Sequence, residues 1–485
     1  MKFTAKFLTA ITSVCLFLAG CAPQVDLSVL ASMSQDQQKF LENEILPRFE
    51  DRNRCRVEII NVDYQQKLWK EVPDSLDLVK VPFTAGRQIA RNFKFLILDS
   101  VLEKTGNEKF KKQLLLTSLG AVDGDQFYIP REFDTRLIVY RKSKVREALE
   151  KWRRHRNSID KSIRRINGYG LPSNYLLEEN PEEWDFFDVF VMGWLWASGD
   201  YGGSMQPRIA HPVNGNKGLA PRQVDHLVQF GIDSSEMLNM QSEGVIDMFE
   251  WEAVFASVGI YNPLMWKENW DSKDVWEAFG NDEVFLSFLS PSDCFYIHGT
   301  GKDSVLGYLD DPEDMGTVTM PRACSVELDS MGMPLREGSK SVMTGGWWWG
   351  IPASSSDPAL SLKLVCFLSQ NEIQIKECSN FGMIPVRKDV LSFMPIMFGD
   401  GWVTQVYNTS FQQLMHNDEN VIAGGEDSQQ MYTLYLEAWN DIVVQENWSE
   451  DSVLPDRSYI RRLLRDRYSS QVESTLIGQT GTVHD

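Results

Sequence analysis

The sequence predicts an α/β protein, and two observations carry that expectation. Short aliphatic and β-branched runs, RVEIINV at 56–62 and DLVKVPF at 77–83, alternate with segments of helical periodicity. Such alternation implies strands of a largely parallel sheet covered by helices. The composition is 43% hydrophobic and 24% charged over 485 residues, enough for sizeable cores and for two or three domains.

Taken in order, Phe40, Leu41, Ile45, Leu46 and Phe49 recur at helical spacing ahead of the first predicted strand. RQIARNFKFLILDSVLEK, at 87–104, reads as a helix running into a loop. Residues 127–142, FYIPREFDTRLIVYRK, are an aromatic-Pro entry into a β-rich strand. Residues 143–166 include KWRRHR and KSIRR, the one basic run of the chain, and read as a solvated helix, with a binding patch as the other possibility. Phe186 to Trp196 is an apolar helix with aromatics on several faces. VDHLVQF and GVIDMFEWEAVFASVG look helical, DEVFLSFLS strand-like, and DDPEDMG an exposed loop within the turn-rich stretch 303–340. DPALSLKLVCFLSQNEIQIKECSN is a helix or two opening at Asp357-Pro358.

The N-terminus, MKFTAKFLTAITSVCLFLAGC, has a positive start at Lys2 and Lys6 and an apolar run too short to span a bilayer comfortably. Leu18-Ala19-Gly20-Cys21 resembles the lipobox of bacterial lipoproteins. The resemblance implies a signal peptide at 1–20, a palmitate-type lipid anchor on Cys21, and a cell-envelope location on the periplasmic or extracytoplasmic face of a membrane. Ala22 leaves the leaflet open. No later run of about 18 apolar residues suggests a second membrane contact.

Loss of Lys2 and Lys6 takes the formal charge from −20 to −22. That acidity excludes nucleic acid as an expected partner, because phosphate binding needs a basic footprint. Beyond Cys15 and Cys21, the cysteines are Cys55, Cys294, Cys324, Cys366 and Cys378, without CxxC spacing, so disulfide pairing stays open. There is no GxSxG elbow and no HExxH pair, and the histidines lack ligand spacing. GTGKDS at 299–304 lacks the residues of a phosphate loop. No enzyme activity, metal or cofactor is therefore expected.

One stretch stands apart, TGGWWWGIP at 344–352. In a strand, Trp347 and Trp349 face one side and Trp348 the other. An indole covers the apolar face of a sugar ring with large area and few rotatable bonds. Two readings follow: at least one ring lines a cleft, or all three pack between helix and sheet.

Four segments together resemble the extracellular solute-binding proteins of ABC importers, in the sugar-binding group that includes maltose-binding protein. They are FLENEILPRFEDRNRCRVEIINVDY, FYIPREFDTRLIVYRK, DEVFLSFLS, and GGWWWGIPASSSDPALSLKLVCFLSQ with FGMIPVRKDV. Arg141 departs from the group's usual Asn, and 143–180 is longer than usual. The resemblance implies a two-lobed periplasmic-binding-protein-like fold with crossing strands at the hinge. The first lobe would hold 21–137 and 284–345, the second 138–283 and 346–485. It implies a monomer that takes a carbohydrate, an oligosaccharide, between the lobes and passes it to ABC permease subunits. Expected ligand contacts are Trp347, Trp348 and Trp349, Tyr128, Glu132, Asp134 and Arg136 on the first crossing, Tyr64 and Gln65 after the first strand, and Trp194, Trp196 and Tyr201 in the second lobe. Trp251 and Tyr261 are weaker candidates. The competing readings are a secreted carbohydrate-active hydrolase, which needs two carboxyl groups at fixed separation, and a sugar-sensing surface lipoprotein that serves no permease.

Overall fold

The computed structural model describes residues 25–62, 75–83, 86, 89–90, 95–198, 206–215, 219–232, 236–299, 307–417, 426–446 and 454–469. The expected lipid site Cys21 and the expected contacts Tyr64, Gln65 and Tyr201 lie outside them.

The strands run in chain order as β1 (Leu27–Ala31), β2 (Val57–Asn61), β3 (Leu78–Pro82), the short pair β4 (Ala121–Val122) and β5 (Asp125–Gln126), β6 (Tyr128–Asp134), β7 (Leu137–Arg141), β8 (Leu286–Leu289), β9 (Met315–Val318) and β10 (Gly345–Gly350). The first lobe is built on a sheet of order β2-β1-β3-β10-β6. Here β1 lies parallel to both neighbours, while β10 is antiparallel to β3 and β6. Leu27, Val29, Leu78, Val79 and Val81 are buried in its core. β1 was not foreseen in the sequence, because LSVLA is a short apolar run without clear alternation.

The second lobe is built on β8-β7-β9, antiparallel throughout, rather than on the parallel sheet expected. Every side chain of β8 and β9 is buried. The segment 284–345, expected in the first lobe, thus supplies two strands of the second. Leu286 to Leu289 pair with β7, and so do Met315 to Val318. The stretch after residue 346 is also divided. Trp348, Trp349, Leu362, Leu364, Val365 and Phe367 join the first core, and Val390, Val406, Tyr407 and Tyr435 the second. A buried apolar strand reads the same whichever sheet receives it, so pairing alone decides the lobe. DDPEDMG divides as well: Asp311 is exposed, whereas Asp314 is buried and accepts from Arg141 Nε at 2.8 Å.

Local sequence explains the helices around this frame. Asp185 caps the helix Phe186–Ala197 through a capping box with Asp188. Asp357 caps Pro358–Leu368, whose Pro sits where a missing N–H costs nothing. The basic run forms the helix Lys142–Asn167, which buries Val145, Ala148, Trp152, Ile159 and Ile163 on one face and ends at left-handed Gly168.

The chain passes between the sheets twice, at Thr135–Arg136 between β6 and β7 and at 340–344 between β9 and β10. Asn417 ties the two passages together. It accepts from Val342 N at 3.0 Å and donates to Thr135 Oγ1 at 3.2 Å and Thr344 Oγ1 at 3.1 Å. Asp225 does the same from another element, accepting from Met343 N at 3.0 Å and lying 3.7 Å from Arg136 Nε.

Candidate ligand-binding site at the lobe crossing

A cavity of about 350 Å³ opens beside the first passage, within the size range of small-molecule sites. Asp134 at the end of β6 and Arg136 on the connector form one side. Phe288 and Leu289 close β8, and Ser290, Ser292, Asp293 and Tyr296 belong to the turn and helix that follow it, Pro291–His298. Trp276, His211 and Arg222 complete the wall. The position follows from chain direction, since sites in α/β proteins form where strands end and connections diverge.

The polar groups are firmly placed. Asp134 Oδ1 accepts from Thr135 N at 3.0 Å, and Oδ2 accepts from Arg136 at 3.2 Å. Asp293 accepts from Ser290 N and Oγ, both at 2.8 Å, and from Trp276 Nε1 at 3.0 Å. The Trp276 ring stacks on Tyr296 at 4.3 Å and 6°, and both rings are half-buried. The Arg222 guanidinium carbon lies over the Phe288 ring, 4.0 Å from its centre. Behind the cavity, Glu252 Oε1 meets His226 Nδ1 at 3.0 Å and Tyr261 OH at 3.1 Å.

Burial sets the protonation of this group. Desolvation, then Arg222, pushes the His226 imidazole down to about 4, and desolvation brings His211 to about 4 as well. Burial, the largest single influence, would raise Glu252, but its hydrogen bond to His226 and the charges of His226, Arg222 and His211 together outweigh it and leave the carboxyl at about 2. Desolvation pushes Asp225 up to about 7 against the pull of Arg136 and Arg222.

The expected contacts divide sharply. Asp134 and Arg136 line the cavity. Glu132, half-buried, is paired with Lys80 Nζ at 2.6 Å. Trp347 is half-buried, faces Pro82 and Glu132 across the sheet, and holds Lys80 4.8 Å from its ring. Trp348 is corrected to core, with 0% exposure and its faces covered by Phe83 at 4.2 Å and Tyr128 at 5.1 Å. Trp349 is buried beside Arg131, and Tyr128 is buried with its hydroxyl donating to Gly86 O at 2.6 Å. Trp196 is buried and donates to Lys144 O, whereas half-buried Trp194 packs against the second core. Trp251 donates to Cys324 O, and Tyr261 is committed to Glu252. The five cysteines Cys55, Cys294, Cys324, Cys366 and Cys378 are all unpaired.

Arg222, Trp276, Phe288, Asp293 and Tyr296 escaped the sequence reading. Their spacing carries no motif, because four separate elements bring them together. Trp276 and Tyr296 could have been suspected only as aromatics on short helices.

Two cores joined by paired crossings, with a polar cavity beside them, define a two-lobed binding protein. The profile of the bacterial extracellular solute-binding protein family matches residues 44–395. The chain belongs to that family. No curated protein matches it in sequence. Solved structures with the same fold include the ABC substrate-binding protein Lmo0181 from Listeria monocytogenes in complex with cycloalternan, 11% identical, with a TM-score of 0.65 over 93% of this chain and 99% of that one. The sugar-binding protein MalE from Xanthomonas citri is 16% identical, with a TM-score of 0.63 over 92% and 97%. UgpB from Mycobacterium tuberculosis in complex with glycerophosphocholine is 15% identical, with a TM-score of 0.62 over 94% and 100%.

Proposed function

We propose that this protein is the lipid-anchored receptor of an ABC importer, held through Cys21 on the extracytoplasmic face of a bacterial membrane, and that it captures a carbohydrate and delivers it to a permease. The observation that carries this reading is the cavity beside the crossing, where fixed donors and acceptors surround the stacked Trp276–Tyr296 pair. Hydroxyl-rich ligands need both kinds of polar partner and an apolar surface for their C–H faces. Cycloalternan, the ligand of the neighbour from Listeria monocytogenes, agrees with an oligosaccharide. Asp134 and Arg136 contact the ligand from the passage, Trp276 and Tyr296 from the second lobe, and Trp347 with Glu132 from the first. The protein acts as a monomer and does no covalent chemistry. Ligand bridging both walls stabilises the closed arrangement that the permease receives.

A thermal-shift screen of the purified protein against mono- and oligosaccharides tests this. A sugar at a hundred times its Kd adds about 2.7 kcal/mol of stability, so a clear rise with one sugar class is expected. No rise with any sugar, together with a rise on adding peptides, polyamines or metal salts, would overturn the carbohydrate assignment.

A further inference from the structure

Arg222 is 3% exposed, lines the cavity, and has all three side-chain nitrogens without a hydrogen-bond partner among the described residues. Its nearest ion-pair oxygen, Glu252 Oε1, stands 3.9 Å from a terminal nitrogen. That oxygen is already engaged by His226 and Tyr261, and Glu252 Oε2 accepts from Trp439 Nε1 at 3.0 Å. Glu252 therefore balances the charge of Arg222 without satisfying its N–H groups. A guanidinium carries five of these in a planar fork, and leaving them unmade in a buried site is costly. On the same wall His211 Nδ1 donates to Pro212 O at 3.1 Å, which leaves its buried Nε2 as an unmet acceptor.

The carboxylates of the cavity are in the opposite condition. Both oxygens of Asp134 accept hydrogen bonds from this chain, and so do both oxygens of Asp293. The wall thus offers an unmet fork of donors at Arg222. A ligand hydroxyl facing Arg222 would satisfy one N–H and leave the rest of the fork unmade. An oxyanion has no proton to place and matches the fork with two parallel hydrogen bonds. The Phe288 ring beneath the guanidinium holds it at the cavity wall through a cation–π contact.

We infer that the ligand carries an oxyanion, a carboxylate or a phosphate, and that Arg222 receives it, so that the protein selects acidic carbohydrates over neutral ones. This inference rests on the carbohydrate reading above and narrows it.

Titration calorimetry on the purified protein with matched pairs tests it. Uronate disaccharides are compared with neutral disaccharides of the same linkage, and hexose phosphates with their parent hexoses. The expected result is at least tenfold tighter binding of the acidic member in one series, and that series identifies the oxyanion. Arg222→Gln should reduce the acidic member to the affinity of the neutral one. Neutral members binding as tightly as acidic ones would overturn the oxyanion inference and leave the carbohydrate reading standing. A folded R222Q protein that keeps the acidic preference would overturn the role of Arg222. If neither member of any pair binds, both readings fall. Should R222Q not fold, the pairs on the unaltered protein still decide whether the acidic ligand is selected, and Arg222→Lys, which keeps the charge but loses the fork, should retain only part of that preference.

Discussion

Trp348→Ala removes a ring sandwiched between Phe83 and Tyr128 in the first core, and such truncations cost about 3–5 kcal/mol. Urea denaturation should show a loss of that size, while the affinity of the remaining folded protein stays near its original value. Trp347→Ala should do the reverse. Its ring is half-buried at the C-terminal end of β3, facing Pro82, so the stability loss is smaller and ligand binding weakens about tenfold, or ~1.4 kcal/mol. Equal loss of stability in both variants, with affinity unchanged in both, would assign Trp347 to the core as well. The glycines before the rings differ in the same way. Gly346 has φ +131, and a Cβ there would meet Glu132 O at 2.2 Å, whereas at Gly345 the nearest atom is 3.5 Å away, on Asp134. Gly346→Ala should cost more than about 1 kcal/mol, and Gly345→Ala close to nothing, by the same denaturation assay.

Asn417, at the end of the helix Trp402–His416, governs a larger unit because the β6–β7 and β9–β10 passages hang on one amide. Replacing it by Ala leaves the Val342 N–H, buried with its neighbours, without a partner, a loss of about 1–3 kcal/mol. The expected signs are a lower denaturation midpoint and a changed ligand-induced decrease in radius of gyration by X-ray scattering. A variant with an unchanged midpoint would show that Asp225, through Met343 and Arg136, suffices to hold the passages. Helices elsewhere follow local rules and were readable as such. The capped helix at Phe186 and the Asp-Pro start at 357 lie where the sequence placed them.

For the molecule as a whole, acid stability depends on the buried group behind the cavity. The His226 imidazole titrates at about 4 in the fold and at 6.5 when unperturbed. Between those values the unfolded chain binds a proton that the folded chain refuses, so stability is lost as pH falls from 6.5 toward 4. The loss amounts to roughly 3 kcal/mol for this one group. Asp225 runs the other way. Its carboxyl titrates at about 7 in the fold against 3.8 unperturbed, so its contribution is full at low pH and fades as pH rises toward 7. The two oppose each other in the intact protein, and a variant separates them. His226→Gln should lose about 3 kcal/mol less than the unaltered protein between pH 6.5 and 4, measured by denaturation at several pH values. Parallel curves for the two proteins would show that His226 carries no such load.

Sequence by itself determined the α/β class, most helix positions, the strands at 57–61, 78–82, 137–141 and 286–289, and the family resemblance. These rest on local period, capping and turn chemistry, which neighbouring residues specify. It also named Asp134 and Arg136, which the fold places beside the cavity, because the segment from the end of β6 into the connector was recognisable. Only the tertiary structure decided that β8 and β9 pair with β7, since burial leaves the same apolar signature in either lobe. It alone separated Trp347 from Trp348 and Trp349: alternation groups Trp347 with Trp349, but the register of β10 against β6 shifts between Trp347 and Trp348, and Trp348 and Trp349 are both buried. Arg222, Trp276 and Tyr296 became visible only in the fold, because a site assembled from distant segments has no spacing in the chain to betray it.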